Sequence, residues 1–395
     1  MKPNDQRMPV PRRKDDDHTR EAAGERRAFI EARSGADLTH VGAYSFDPAV
    51  TRGNIENFIG AAQVPVGLAG PLRIRGEHVS DEDVYVPLAT AEGTLVASYN
   101  RGMRILSEAG GVKTTIVERY MQRAPVFHFD DARGARDFAR WVDAHMDGVR
   151  AAAEATSSVA KLSHIERYAV GPMLHLRFNF ETGDAAGQNM SGKAADAACR
   201  WIADNHPGGA RYTLSGAMDT DKKHSQLNVL HSRGARVVAE ARIPDALLRQ
   251  RVGTSAADLF RARLNSFAGS VMAGSANNGM HAANALAALF IATGQDAANV
   301  AESHAAMTFV RLEDEGQTYY WSITLPALIV ATFGGGTGLP TQAECLDILG
   351  CRGKGKVGRF IEICAATVLA GEVSLAGAVV AGDWVESHEK LGRNR

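Results

Sequence analysis

Ala124 to Tyr212 opens on Pro125-Val-Phe-His-Phe129 and continues with an alanine- and charge-rich run from Ala132 to Thr156. An alternating stretch from Tyr168 to Phe180 and a small-residue run from Met190 to Asn205 complete it. Short runs of β-branched and aromatic residues predict strands, and the longer runs carry apolar residues at helical spacing. The order strand, helix, hairpin, helix predicts a small α+β unit set inside a longer chain. No Gly-x-Gly-x-x-Gly follows a strand, so a doubly wound dinucleotide fold has no support here.

Outward from that unit, Val64 to Pro71 reads as an irregular Pro/Gly connector and Val84 to Pro87 as a short strand. Thr90 to about Ser107 reads as a helix stopped at Gly110-Gly111, and Met280 to Thr293 as another. Met1 to Gly35 is dense in charge and predicts a flexible arm with one helix near Arg20 to Ala32. The whole chain, 395 residues and 45% hydrophobic, is long enough for two or more packed domains. Its 44 basic and 45 acidic side chains nearly cancel, so no broad field favours nucleic acid or anionic lipid. Cys199, Cys345, Cys351 and Cys364 form no Cys-x-x-Cys pair, which predicts reduced thiols in a cytoplasmic protein and no structural metal. The apolar runs Ala285 to Ala292 and Leu375 to Ala381 fall short of the roughly 20 residues needed to span a bilayer.

One segment concentrates chemistry: Ser215-Gly-Ala-Met-Asp-Thr-Asp-Lys-Lys-His-Ser-Gln-Leu227. Two adjacent lysines beside Asp219 and Asp221 suit stabilisation of an oxyanion, although such a run alone is commonly a solvated loop. Glu92 is the only ionisable group among Ala91, Gly93, Leu95 and Val96, so burial is expected to raise its pKa toward that of a useful acid. The alternative is a glutamate that merely favours a helix N-terminus. Asp296 after Gly294-Gln295 reads by itself as a turn or cap, and His281 and Asn284 share a helix face. His388 has the ordinary imidazole pKa of about 6.5, suited to donating a proton near neutrality, but sits at a terminus that frays by default.

The lysine segment resembles the catalytic lysine loop of the hydroxymethylglutaryl-CoA (HMG-CoA) reductase family, and other segments match that family in order. They are Glu56-Asn-Phe-Ile-Gly60 with Val64-Pro-Val-Gly-Leu-Ala-Gly-Pro71, Ala89-Thr-Ala-Glu-Gly-Thr-Leu-Val-Ala-Ser-Tyr-Asn-Arg-Gly102, and Gly183-Asp-Ala-Ala-Gly-Gln-Asn-Met190. His281-Ala-Ala-Asn284 with Ile291-Ala-Thr-Gly-Gln-Asp296, then Gly334-Gly-Gly-Thr337 with Leu339-Pro-Thr-Gln342, complete the set. The resemblance implies an α+β protein. A large helix-rich substrate-binding domain (46–123 and 213–375) would carry an inserted small ferredoxin-like NADP(H)-binding domain (124–212), with an N-terminal arm (1–45) and a C-terminal flap (376–395).

It also implies a reaction: four-electron reduction of HMG-CoA to mevalonate and CoA by NADPH, or by NADH, without a metal. Lys222 would hold the oxyanion, Glu92 would protonate the aldehyde oxygen, and Asp296 would interact with both. Asn284 would touch the lysine or substrate, and His388 would protonate the departing thiolate. Ser98, Asn100, Arg101, Arg123, Ser215, Asp221, Lys223 and His281 match substrate-binding positions. Ser157, Ser158, Asp184, Gly187, Gln188, Asn189, Met190, Gly334, Gly335, Gly336, Thr337, Asn394 and Arg395 match cofactor-binding positions. The family works as a homodimer with active sites between subunits, and a dimer of dimers fits the same pattern.

Three departures stand out. Asn265 lies where relatives carry a lysine toward the acyl group, Ser158 lies where NADPH users carry an arginine, and the segment after His388 is about two residues longer than usual. These leave two alternatives in view, a reductase of the same mechanism acting on another acyl-CoA thioester and a non-catalytic CoA- or nucleotide-binding protein.

Overall fold

The computed structural model describes residues 8–275 and 278–382. Among them are ten strands: β1 (Val66–Arg75), β2 (Glu82–Ala89), β3 (Val112–Arg123), β4 (Val126–His128), β5 (Lys161–Val170), β6 (Met173–Glu181), β7 (Arg211–Thr213), β8 (Gly234–Pro244), β9 (Met307–Glu313) and β10 (Thr318–Leu328). One layer runs β2-β1-β3-β8-β10-β9, with only the β1–β3 contact parallel. A second, antiparallel layer has β4 between β7 and β6. β5 pairs with the same β6 residues that β4 and β3 engage, so it must occupy the opposite edge of β6.

This gives the order β7-β4-β6-β5. With helices Ala132–Ala144 and Met146–Glu154 after β4 and helix Gln188–Asn205 after β6, it is the ferredoxin-like split βαβ arrangement. The expected single helix from Ala132 to Thr156 is two, broken at His145, whose φ of −119° and ψ of 19° leave the helical range.

β3 belongs to both layers: Lys113 to Tyr120 pair with β8, and Met121 to Arg123 pair with β6. Each layer has its own apolar core. Phe127, Phe138, Phe178, Phe180 and Ile202 fill the smaller one. A polar seam of Gln122, Arg177, Asn179 and Arg233, each at most 1% exposed, lies by β3, β6 and β8. Hydrogen bonds link it internally and to the backbone: Gln122 donates to Asn179 at 2.8 Å, Arg233 to the Gln122 carbonyl at 3.0 Å, and Arg177 to the Ser232 carbonyl at 2.8 Å, while Gln122 Oε1 and the Nε groups of Arg177 and Arg233 find no hydrogen-bond partner.

The larger core surrounds helix Val357–Ala381, which packs on helices Leu95–Glu108 and Ala282–Thr293 and on β8, β3 and β10. The apolar run at Leu375 to Ala381 is the end of this 25-residue helix, so 376–381, expected as the start of a C-terminal flap, belong to the core helix instead. It is long and apolar enough to cross a membrane, yet 78% of its most apolar stretch is buried inside the protein. Gly102 lets helix Leu95–Glu108 approach closely, since a Cβ there would sit 1.8 Å from the Ala370 carbonyl oxygen.

Two fully buried glutamates on this helix tie loops to it. Glu362 accepts the N–H groups of Glu77, His78 and Val79 between β1 and β2 at 2.8–3.0 Å. Through one oxygen, Glu372 accepts those of Met280 and His281, both at 2.7 Å.

Two further expectations are revised. Val64 to Pro71 is largely strand, because β1 pairs with β2 on both sides of an irregularity between Ala69 and Leu72 that absorbs the Gly-Pro step. The helix expected near Arg20 to Ala32 is present as residues 20–34, capped by the Thr19 hydroxyl, but it is docked on the protein rather than part of a flexible arm. Its Arg26 is 1% exposed and donates to the carbonyls of Pro11, Asp17 and Phe58. Those carbonyls and the Asp17 carboxylate, which pairs with the guanidinium, make that buried charge tolerable.

Burial is the main influence on Glu372 and pushes its carboxyl up to about 7, against the pull of the two N–H donors. The folded protein therefore holds a proton that an unfolded glutamate, with a pKa of about 4.3, releases. The associated stability is present below the unfolded value and is lost as pH rises through about 7. Glu372→Gln keeps an acceptor for both N–H groups, and we expect its Tm to exceed wild type at pH 8 while matching it near pH 5. Thermal unfolding at the two pH values checks this, and a pH-independent difference would refute it.

Candidate active site

Three turns meet around one cleft of about 650 Å3, a volume within the roughly 300–1,000 Å3 of small-molecule sites. The first, Gly187 to Met190, begins helix Gln188–Asn205; Gly187 gives it no side-chain cap, so its leading N–H groups are available to an anion. The second is Gly334 to Thr337, and the third carries Asp296. Backbones of the last two touch: a Cβ on Gly294 would lie 2.2 Å from the Gly336 carbonyl oxygen, and one on Gly336 would lie 2.7 Å from that of Gly294. Only glycine at both positions permits that approach.

Beside the cleft, the Lys222 ammonium meets Asp296 Oδ2 at 2.8 Å, with both side chains less than half exposed. Asp296 Oδ1 accepts the Ala298 N–H and so caps its own turn. The bond to Asp296 is the main cause of a raised Lys222 pKa, which keeps the lysine protonated. Asp221 receives Arg233 Nη2 at 2.9 Å and Gln188 Nε2 at 3.1 Å, and Gln188 also donates to Asn299. Gln188 thus joins the first turn to the lysine loop. Lys223 is exposed and reaches back to the Asp221 carbonyl. Arg123 donates to Asp219 at 2.8 Å, as does the Ser215 hydroxyl at 3.0–3.1 Å.

A second cluster forms around Glu92, whose Oε2 accepts from Asn284 Nδ2 at 2.9 Å. Here burial was expected and is not found. The helix starts at Leu95 rather than Thr90, and Glu92 stands exposed in the preceding turn with its N–H on the Thr90 hydroxyl. His281 is buried and stacks on Tyr99 at 4.8 Å, and burial is the main reason its pKa is lowered. Ser98 and Arg101 both hydrogen-bond Ser374 of the core helix, at 3.0 Å, and Asn100 accepts the Gly70 N–H.

The two clusters lie at opposite ends of helix Ala282–Thr293. Nine steps of 1.5 Å put Thr293 about 14 Å along the axis from Asn284, and Asp296 follows Thr293. Within one chain, therefore, the helix separates Glu92 and Asn284 from Lys222 and Asp296.

Ser157 spends its hydroxyl on the Val159 and Ala160 N–H groups, whereas Ser158 is exposed. His388, Asn394 and Arg395 lie outside the described residues. The sequence reading missed Glu302, Arg233, Asn299, Tyr99 and Ser374; each belongs to a local pattern with no charge cluster or glycine turn to mark it.

Asp184, expected at the cofactor, forms a structural clasp. Its carboxylate accepts the Gly355 and Val357 N–H groups at the start of the core helix, at 2.8 and 3.2 Å. Its carbonyl accepts those of Thr332 and Phe333 just before Gly334. Loss of a helix-capping carboxylate costs about 0.5–2 kcal/mol, so in a chain of this length Asp184→Ala is expected to lower Tm by about one to two degrees. A raised cofactor KM at unchanged Tm would instead make Asp184 a ligand-binding residue.

The family model described as hydroxymethylglutaryl-coenzyme A reductase matches residues 22–393. The 3-hydroxy-3-methylglutaryl-coenzyme A reductase of Pyrococcus horikoshii is 42% identical over 380 residues, covering 93% of this chain and 91% of the relative. That of Methanothermobacter thermautotrophicus is 41% identical over 376 residues, covering 94% of each. Among solved structures, the class II 3-hydroxy-3-methylglutaryl-CoA reductase from Streptococcus pneumoniae bound to NADPH superposes with a TM-score of 0.68 at 21% identity. That match covers 90% of this chain and 97% of the other and speaks to fold. With a family match over nearly its whole length and relatives above 40% identity, the chain belongs to the hydroxymethylglutaryl-coenzyme A reductase family.

Proposed function

We propose that this protein reduces HMG-CoA to mevalonate and CoA, consuming two NADPH, with NADH as the alternative donor. The observation that carries the reading is the Lys222–Asp296 ion pair at the edge of a cleft built from an uncapped helix start and a glycine turn. The first-turn N–H groups fit a diphosphate, and the open space at Gly334 and Gly335 lets a ligand approach backbone directly. A bound reduced nicotinamide would supply the hydride for each of the two reductions.

The chain's own groups divide the remaining work. Lys222 donates to the carbonyl oxygen and offsets the charge that develops there when the thioester, and later the aldehyde, is attacked. Asp296 holds the ammonium in place and protonated. Glu92, oriented by Asn284, delivers a proton to the aldehyde oxygen. His388 protonates the departing thiolate. Arg123, Ser215, Asp221 and Lys223 lie on or beside the lysine loop and would orient the acyl group, while Ser98, Asn100 and Arg101 would meet CoA. The cofactor would bind through Gly187 to Met190 and Gly334 to Thr337.

A homodimer follows from the same reading. One chain keeps its Glu92–Asn284 pair a helix length from its Lys222–Asp296 pair, so a complete site needs the acid of one subunit against the lysine of another. Its four free, buried cysteines support a cytoplasmic location.

The defining experiment follows reduced-nicotinamide absorbance with HMG-CoA and quantifies mevalonate. Two cofactors oxidised per mevalonate are expected, and no turnover from folded protein would overturn the reaction. Lys222→Ala is expected to lower kcat at least about a hundredfold, within the range measured for lost oxyanion donors; near-normal turnover would remove the lysine from the mechanism. For the shared site, inactive Glu92→Gln and Lys222→Ala proteins are unfolded, mixed and refolded together. Random pairing should restore about a quarter of wild-type activity, because half the dimers have one intact site of two. No recovery from refolded mixed dimers would place each site within a single chain.

A further inference from the structure

Lys222 is attached to one short segment at two points. Its ammonium binds Asp296, and its backbone N–H is accepted by Glu302 Oε1, six residues further along. Between those points Asp296 caps the turn Ala297–Asn299, and helix Val300–Ser303 carries Glu302. That segment is itself tied down, since the Ser303 hydroxyl accepts the Ile329 N–H just beyond β10.

The loop needs such an anchor. Thr220 and Lys222 have φ values of 55° and 56°, in the left-handed region that costs most residues roughly 1 kcal/mol or more unless surroundings impose it. Glu302 is 1% exposed and lies beneath the loop. Its Oε2 receives Asn228 Nδ2 at 3.3 Å, and Asn228 in turn accepts from the Thr220 hydroxyl at 2.6 Å. Arg233 Nε stands 2.7 Å from the same oxygen, as an ion pair without the alignment of a hydrogen bond, while Nη2 holds Asp221. Every residue from Thr220 to Lys222 is thus held, directly or through one partner, by the buried Glu302–Arg233 pair.

We propose that Glu302 is a positioning residue for Lys222: by accepting the Lys222 backbone N–H it fixes the left-handed turn that delivers the ammonium to Asp296. This rests on the reading of Lys222 as the oxyanion holder. Glu302 acts through the loop and touches neither substrate nor cofactor.

Two substitutions separate reach from charge. Glu302→Asp keeps the charge facing Arg233 but withdraws the acceptor by one methylene, whereas Glu302→Gln keeps an acceptor in reach of the Lys222 N–H while giving up the charge and the Oε2 acceptor facing Asn228 and Arg233. Glu302→Asp is expected to lower kcat about thirtyfold or more, with cofactor KM within about twofold, and Glu302→Gln to stay within about fivefold of wild type. Because the bond to Asp296 raises the Lys222 pKa, Glu302→Asp should also move the alkaline limb of the kcat profile to lower pH. A merely structural role would leave that limb in place. Wild-type turnover and an unmoved limb in Glu302→Asp, or equal losses in both variants, overturn the proposal.

Lys222→Ala, assayed alongside, distinguishes the two failures. If it is inactive while Glu302→Asp is normal, positioning alone is wrong; if it is active, the lysine assignment is wrong. A measurement on the wild-type dimer covers the case in which Glu302→Asp does not fold. Residue-resolved hydrogen exchange should show the Lys222 amide protected although its side chain is exposed, and exchange as fast as that of an unstructured amide overturns the anchor.

Discussion

Burying helix Val357–Ala381 on nearly every side is the constraint from which the architecture follows. A helix satisfies its own backbone internally, so it can sit in an apolar core at little polar cost. Loops packed against it have no such means, and their N–H groups must find acceptors or forfeit their hydration. Glu362 and Glu372 supply those acceptors from within the helix, one to the β1–β2 loop and the other to the start of helix Ala282–Thr293. Asp184 performs the reciprocal task at the helix's first turn. Through these few carboxylates the core helix sets the position of Asn284 and, through Asp184, the approach of the glycine turn at Gly334.

The same economy governs the lysine. An ammonium on a flexible stem is a poor catalyst unless its location is settled before substrate arrives. Here the stem is held at the tip by Asp296 and at the backbone by Glu302, and the two holders share one segment anchored to β10. Charge is kept near the chemistry but is compensated beneath it by Arg233.

Much of this was legible in the sequence, for identifiable reasons. The lysine loop, the glycine turns and the paired His281 and Asn284 each have ordinary structural readings by themselves, and they became legible as a site only because they match one family's segments in order. The small α+β unit was legible because its strands and helices alternate cleanly. Long-range compensation left no such trace. Val64 to Pro71 looked like a connector because Gly-Pro punctuation outweighs β-propensity locally, and only pairing with β2 shows a strand. Glu362 and Glu372 interrupted an apolar run and concealed the core helix, because the acceptors they provide serve N–H groups roughly 90 and 280 residues away. Glu92 had apolar neighbours in sequence and yet projects outward, as neighbours along a turn need not be neighbours in space.

One strand runs through both sheets, alongside the ties made by Asp184 and Gln188. Because β3 is paired to β8 along most of its length and to β6 over its last three residues, the orientation of the smaller unit is carried through the backbone at Met121. An engineer who exchanges the smaller unit for another nucleotide binder would have to cut beyond Arg123 and preserve the register of Met121 to Arg123, or the exchanged unit would lose its orientation to the lysine loop.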